Sequence, residues 1–384
     1  MRAAERRRGL LRAPLLAWQT LAQGRYDFVY DALPIRLQRM SLAKRWNLFR
    51  AGANLLHRRL RPWSMPLHMQ FELTNYCNLR CPMCPTGSRN LERPPRSLDV
   101  ALLEQLLAQV GPYLLTATLW GWGESLLHPR LSEALVVVRQ YPVVSLLSTN
   151  GQNLDREPIV AALADAPPTY LIVAIDGLTD ETNSRFRVGA RLAPALAGVQ
   201  RLAAIKRQRG QHLPVLHMRF IVMKHNQHEL PRLADFAREH HFDLLTTRTL
   251  SPLACDVADS VHLAYLPDAP EFRAYRYDQG RRVARHDFVC QQPFWFPTVF
   301  ADGTLVGCEQ DHNGTRPLGA LGAGVSFRDV WYSAQAAQLR KEVRDGALPG
   351  FCVGCAARDR PLTSASREAF FVNPQLPNPL VVAA

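Results

Sequence analysis

The chain has 384 residues, of which 47% are apolar and 21% charged, and it carries a net charge of +13. That length holds one barrel-sized domain plus smaller pieces, and the composition is that of a folded globular protein. No run of 18 uninterrupted apolar residues is present, so no membrane-spanning helix is expected.

Arg6, Arg7 and Arg8 precede Leu10, Leu11, Leu15 and Leu16, but Arg12, Pro14 and Gln19 interrupt the run and no small-residue cleavage site follows cleanly. No signal peptide is expected on that pattern. Residues 1–65 hold fourteen Lys and Arg against three Asp and Glu, a balance of +11 that leaves only +2 for the rest. They are expected to form a basic, mostly helical extension. Its aromatics (Trp18, Tyr26, Phe28, Tyr30, Trp46, Phe49) call for something to pack on. Such a segment suits an acidic partner, nucleic acid or an anionic membrane surface, or it is a solvated helical face.

From residue 66 to 250, β-rich runs alternate with helix-period segments. Strands are predicted over Met69–Thr74, Thr116–Gly121, Val143–Thr149, Tyr170–Asp176, Val215–Met223 and Leu244–Leu250, with helices near 98–110, 131–140, 156–164, 191–208 and 227–240. Several strands are almost continuously apolar, as strands covered on both faces are. Six such units imply parallel strands with right-handed crossovers, in an open sheet or a barrel. Residues 251–285 read as a linker or cap, 286–365 as a small metal-organised domain, and 366–384 as a poorly ordered tail.

Eight cysteines stand at 77, 81, 84, 255, 290, 308, 352 and 355. In a large chain without an export signal they read as metal ligands before disulfides, and the protein as cytoplasmic. Cys77, Cys81 and Cys84 follow directly on the first predicted strand, at the strand end where α/β proteins place chemistry. Three thiolates hold three irons of a cubane and leave the fourth open, and an open position marks a catalytic centre. A zinc knuckle is the plainer reading, but its nearest histidines, His68 and His128, are poorly spaced.

The spacing of these three cysteines resembles the signature of the radical S-adenosylmethionine (SAM) superfamily. The resemblance implies a partial (β/α)6 TIM-like barrel and a [4Fe–4S] cluster that cleaves SAM to a 5′-deoxyadenosyl radical, which abstracts hydrogen from substrate. Gly121-Trp122-Gly123-Glu124-Ser125 resembles the family's glycine–glutamate motif at the SAM amino group, with Ser125 where a proline is usual. Ser148-Thr149-Asn150-Gly151 resembles the ribose-contacting turn. Ala174-Ile175-Asp176-Gly177 with Arg187 resembles the segment that holds the SAM carboxylate, although Ala174 stands where a serine is common. Met83, Gly121, Gly123, Glu124, Ser148, Asn150, Asp176 and Arg187 are thus the implied SAM contacts. Glycine permits close backbone approach, a carboxylate complements an ammonium, and a guanidinium pairs with a carboxylate.

Cys290, Cys308, Cys352 and Cys355, with the Asp302-Gly303 hairpin turn and Asp329-Val330-Trp331, resemble the twitch form of the SPASM domain. That implies a small α+β domain binding one auxiliary [4Fe–4S] cluster. Zinc remains open for a set ending in Cys-x-x-Cys, and Cys255 has no assigned role. The cysteine pattern resembles both the radical dehydrogenase of an aminocyclitol and the enzymes that modify ribosomal peptides. Net oxidation, with the auxiliary cluster taking an electron, is expected; epimerisation or cross-linking of a peptide is the alternative. The family further implies a flavodoxin- or ferredoxin-type electron donor. Glu72, Arg219 and Arg248 at strand ends are candidate acid, base or substrate anchors, or else structural ion pairs, while His217 and His225 read as structural. A zinc-stabilised nucleic-acid binder would spread basic and aromatic residues over the whole chain, whereas here the charge stops at the extension.

Overall fold

The computed structural model describes residues 15–30, 32–251, 259–279, 281–283, 288–322, 324–352, 355–359, 366–377 and 380–383. Residues 15–21 form helix α1, followed by a hairpin of β1 (Tyr26–Tyr30) and β2 (Leu33–Gln38), then α2 (Leu42–His57). The extension expected to be mostly helical therefore contains a β-hairpin. Its sequence explains why: Leu33, Ile35 and Leu37 alternate with polar or small residues and are fully buried, a period of two rather than 3.6. Ser41 caps α2 by accepting from Lys44 N at 3.2 Å.

The central element is a ten-stranded sheet. Six parallel strands stand in chain order: β3 (His68–Phe71), β4 (Thr116–Thr118), β5 (Val144–Thr149), β6 (Tyr170–Ala174), β7 (Val215–Val222) and β8 (Leu244–Thr249). The crossovers carry α3 (Val100–Val110), α4 (Leu131–Arg139), α5 (Glu157–Asp165), α6 (Asp180–Phe186), α7 (Leu192–Arg209) and α8 (Leu233–Glu239). Helix α3 shows how these form: Asp99 caps it from Ala101 N, and Val100, Leu103, Leu106, Leu107 and Val110 make one buried stripe.

Beyond β8 come α9 (Asp259–Tyr265) and a small hairpin of β9 (Tyr277–Asp278) and β10 (Arg281–Arg282). Helix α10 (Gln292–Trp295) leads into the antiparallel set β11 (Thr298–Val299), β12 (Thr304–Val306) and β13 (Pro317–Ala320). Strand β11 joins the free edge of β3 in parallel. The β11–β12 turn needs Gly303 at φ +86°, where a side chain would be strained. Helices α11 (Phe327–Trp331) and α12 (Ala334–Asp345) pack on that edge, followed by α13 (Ala356–Asp359).

The described residues of the tail include two strands. Strand β14 (Ser366–Phe371) pairs antiparallel with β8, and β15 (Leu380–Ala383) pairs in parallel with β2. Its apolar residues were masked in the sequence by Pro and Asn. Both edges of the six-stranded parallel sheet are thus covered by later chain, leaving β13 and β14 as the outer strands. The barrel is partial and open rather than closed.

The two faces of the sheet bury different things. Met69, Ala117, Leu147, Val173, Met218 and Leu245 face the crossover helices. Val144, Leu146, Tyr170, Ile172, Val215 and Leu244 face inward, onto Leu33, Ile35, Leu37 and Leu380. The N-terminal hairpin and the last strand therefore fill part of the concave face, each buried Leu or Ile contributing about 1.5–3 kcal/mol. No helix among the described residues is long and apolar enough to cross a membrane.

Candidate active site

The loop after β3 is held by its own backbone. Cys84 N donates to Cys81 O (3.2 Å), Ser88 N to Cys84 O (2.8 Å) and Arg80 N to Val188 O (3.0 Å). Gly87 packs so closely that a Cβ there would lie 2.3 Å from Cys81 O. Asn75, buried beside the loop, accepts from Arg96 N and donates to Pro94 O.

Three side chains predicted as SAM contacts surround this loop. Glu124 is buried, its carboxylate accepting from Leu126 N (3.0 Å), Thr149 Oγ1 (2.6 Å) and Asn150 N (2.7 Å). Burial pushes its pKa up against those hydrogen bonds. Asn150 Nδ2 lies 3.6 Å from Cys77 Sγ and 2.8 Å from Asn78 Oδ1. Arg187 Nε lies 2.7 Å from Asp176 Oδ2. Asp176 itself has no exposed surface and lies outside the cavity wall, on the far side of its pairing with Arg187. Its other oxygen accepts from Ile221 N at 2.7 Å. The strand-end carboxylate is thus placed against the arginine.

Burial raises the Cys77 thiol to about 11 and the Cys81 thiol to about 12, with neighbouring cysteine charges adding to the rise and Arg187 opposing it at Cys81. Burial likewise raises Cys290 to about 11 and Cys308 upward, and Cys290, Cys308 and Cys355 are close enough to feel one another's charge. Cys352 ends a short helical turn, Gly350–Cys352, and Cys355 N donates to Cys352 O at 3.2 Å. Cys255 lies outside the described residues.

All seven cysteines open onto one cavity of about 950 Å³. Met83, Gly121, Gly123, Glu124, Ser148, Asn150 and Arg187 share its wall, with Arg219 and Arg248 from the inward face of β7 and β8. The Arg219 guanidinium lies 5.9 Å from the Trp120 ring centre. Glu72, the third acid/base candidate, is elsewhere. It is fully buried, receives Arg93 in a two-point ion pair (2.7 and 2.8 Å), and accepts from Trp122 N (3.1 Å) and Ala301 N (3.0 Å). Its hydrogen bonds join β3, the β4 loop and the β11–β12 turn. His217 bonds Thr246 Oγ1 at 2.7 Å inside the sheet, and His225 stacks edge-on to Tyr265.

Sequence reasoning missed this joint. Arg93 also lies over the Phe300 ring (3.7 Å) and donates to His312 O (2.7 Å), and Trp122 Nε1 donates to Glu309 O (3.2 Å). Nothing in Glu92-Arg93-Pro94-Pro95 signals such a role, since Glu72 lies 21 residues before Arg93 and its other partners, Phe300 and His312, over two hundred residues after it.

The donor set suits iron–sulfur clusters. Leu79 N approaches Cys77 Sγ at 3.4 Å and Gln310 N approaches Cys308 Sγ at 3.5 Å, the N–H to sulfur contacts that stabilise thiolate ligands. Among the described residues no three His, Cys, Asp or Glu groups converge as a single metal ion would need. A cubane asks for less convergence, because each thiolate meets its own iron.

A profile of the radical SAM superfamily matches residues 71–237. The PqqA peptide cyclase of Gluconobacter oxydans is 30% identical over 178 residues, 46% of this chain and 47% of that protein. The mycofactocin maturase MftC of Mycobacterium ulcerans is 26% identical over 340 residues, 82% of this chain and 86% of that one. The chain spans about half the length of the first curated relatives it matches. The crystal structure of Streptococcus suis SuiB bound to precursor peptide SuiA superposes with a TM-score of 0.54 at 15% identity, covering 82% of this chain and 75% of that one. At that identity the likeness is one of fold.

Proposed function

We propose, for a chain that carries a radical SAM domain over residues 71–237, that the whole protein is a radical SAM enzyme with an auxiliary cluster, acting on a peptide. Cys77, Cys81 and Cys84 hold the SAM-binding [4Fe–4S] cluster, and Cys290, Cys308, Cys352 and Cys355 hold a second one. When bound, the first cluster and SAM supply hydrogen abstraction from unactivated carbon, and the second supplies an electron outlet for net oxidation.

The residues around the cavity divide the remaining work. Glu124 and Arg187 meet the amino and carboxylate groups of SAM, with Asp176 fixing the direction of Arg187. Ser148 and Asn150 suit the ribose, Gly121 and Gly123 let the ligand lie close to backbone, and Met83 lines the same wall. Arg219 and Arg248 anchor anionic groups of the substrate.

One observation carries the reading: two cysteine sets more than two hundred residues apart in the chain open onto the same cavity. Of the two substrate classes suggested by the cysteine pattern, the peptide is favoured by the names of the cyclase and the maturase. Epimerisation or cross-linking of the peptide is the second reaction class: epimerisation leaves the product mass unchanged, whereas oxidation and cross-linking each remove two hydrogens, from one residue in the first case and from two joined residues in the second, which fragmentation of the product distinguishes. Thiolate clusters fit the cytoplasm, with a flavodoxin- or ferredoxin-type donor as electron source.

Iron content and low-temperature EPR after anaerobic reconstitution test this. The intact chain should hold about eight irons, and Cys77, Cys81 and Cys84→Ala together should leave about four and no SAM cleavage. About four irons in the intact chain, all lost in the variant, would remove the second cluster and with it the oxidative reading.

A further inference from the structure

We infer that the outer face of α2 is a docking surface for an anionic lipid bilayer. The inference concerns the extension alone and holds whatever reaction the cavity performs.

Helix α2 has two faces of opposite character. Lys44, Asn47, Leu48, Ala51 and Asn54 are buried against the barrel. On the other side Leu42, Trp46 and Phe49, spaced by four and three residues, are 68%, 52% and 47% exposed. The spacing puts them in one row, and the Trp46 and Phe49 rings meet edge to face at 5.8 Å. Single exposed apolar residues are ordinary, but a row of three large ones on one helix marks an interaction site.

The surroundings say what covers it. Trp18 and Trp63 are also exposed, at 61% and 49%, so every exposed tryptophan among the described residues belongs to this N-terminal segment. Residues 1–65 carry +11 of the chain's net +13. Arg39 just before α2 and Arg50 within it are exposed beside the apolar row, while the nearby acid Asp27 is already matched by Arg25 and Arg36. Tryptophan with leucine and phenylalanine on one side and arginine around it is the composition of a helix lying in a headgroup layer. The rings enter the acyl boundary, and each cation adds attraction to anionic lipid. None of Leu42, Trp46 and Phe49 lines the cavity.

Vesicle sedimentation tests this, with phosphatidylcholine alone and with phosphatidylcholine containing phosphatidylglycerol. The intact chain should sediment only with the anionic vesicles, less so at high salt, with a blue shift of tryptophan emission. Trp46→Ser with Phe49→Ser should weaken binding by about tenfold or more, while iron content after reconstitution stays that of the intact chain. Three results overturn the inference. The first is no sedimentation of the intact chain with either vesicle. The second is unchanged binding by the double variant. The third is a concentration-dependent dimer that the double variant dissolves without any lipid effect, which assigns the face to a second copy of the chain.

Discussion

Cys77, Cys81 and Cys84 come from eight consecutive residues, whereas Cys290, Cys308, Cys352 and Cys355 come from three segments spread over 66 residues. The first set is shaped mainly by hydrogen bonds within its own loop and by Gly87, with a few ties to neighbouring segments such as Arg80 N to Val188 O. The second exists only when the β11–β12 arm, the start of α10 and the last turn are docked together. Polar groups crowd the first set, with Glu124, Asn150 and Arg187 at its side. The difference teaches that one site is a property of a loop and the other of an interface. Damage should therefore reach them by different routes.

The largest expected effect breaks the interface. Arg93→Met leaves the fully buried Glu72 carboxylate with only the N–H groups of Trp122 and Ala301. Removing one partner of a buried pair costs about 3–5 kcal/mol. The thermal midpoint should fall, and iron should be lost from the second site before the first. Glu72→Gln combined with Arg93→Met removes the stranded charge and should recover part of that loss. Equal iron loss from both sites would mean that the joint does not serve the second site in particular.

A smaller effect should fall on the loop alone. Gly87→Ala puts a Cβ within 2.5 Å of Cys81 N and 2.3 Å of its carbonyl oxygen, backbone atoms that cannot swing aside. Overpacking of this kind costs about 1–3 kcal/mol. Iron should drop from about eight to about four with the second cluster's EPR signal retained. A full complement of iron would show that the loop is less rigid than its hydrogen bonds indicate.

The same contrast explains what the sequence made legible. The six parallel strands and the first cysteine set rest on short-range pattern: continuous apolar runs, helix-period crossovers, cysteines four and three apart. The hairpin at Tyr26–Gln38 was hidden because five- and six-residue strands containing Arg36 and Asp27 look like a solvated basic segment. The tail was hidden because its strands acquire their register only from β8 and β2. Asp176 was legible as a strand-end acid, but not the direction it faces. Arg93 had no signal at all, because a residue that acts through long-range partners carries no local signature.

The smallest effect serves as a control on the comparison, because it moves stability while both sites should stay filled. Lys44 on α2 has no exposed surface, its Nζ donates to Pro142 O, and no carboxylate pairs with it among the described residues. Burial pulls its pKa down to about 8 from an ordinary 10.5. Between those values the unfolded chain holds the proton and the folded chain has released it, so stability rises with pH through that window. Below about pH 8 the buried charge is a standing cost. Lys44→Met keeps the volume, removes the charge and gives up one hydrogen bond to Pro142 O. Stability at neutral pH should rise by about 1 kcal/mol, the alkaline rise should vanish from the unfolding curve, and iron should stay at about eight. A loss of stability with the pH dependence unchanged would mean that Lys44 remains charged and well satisfied at that position.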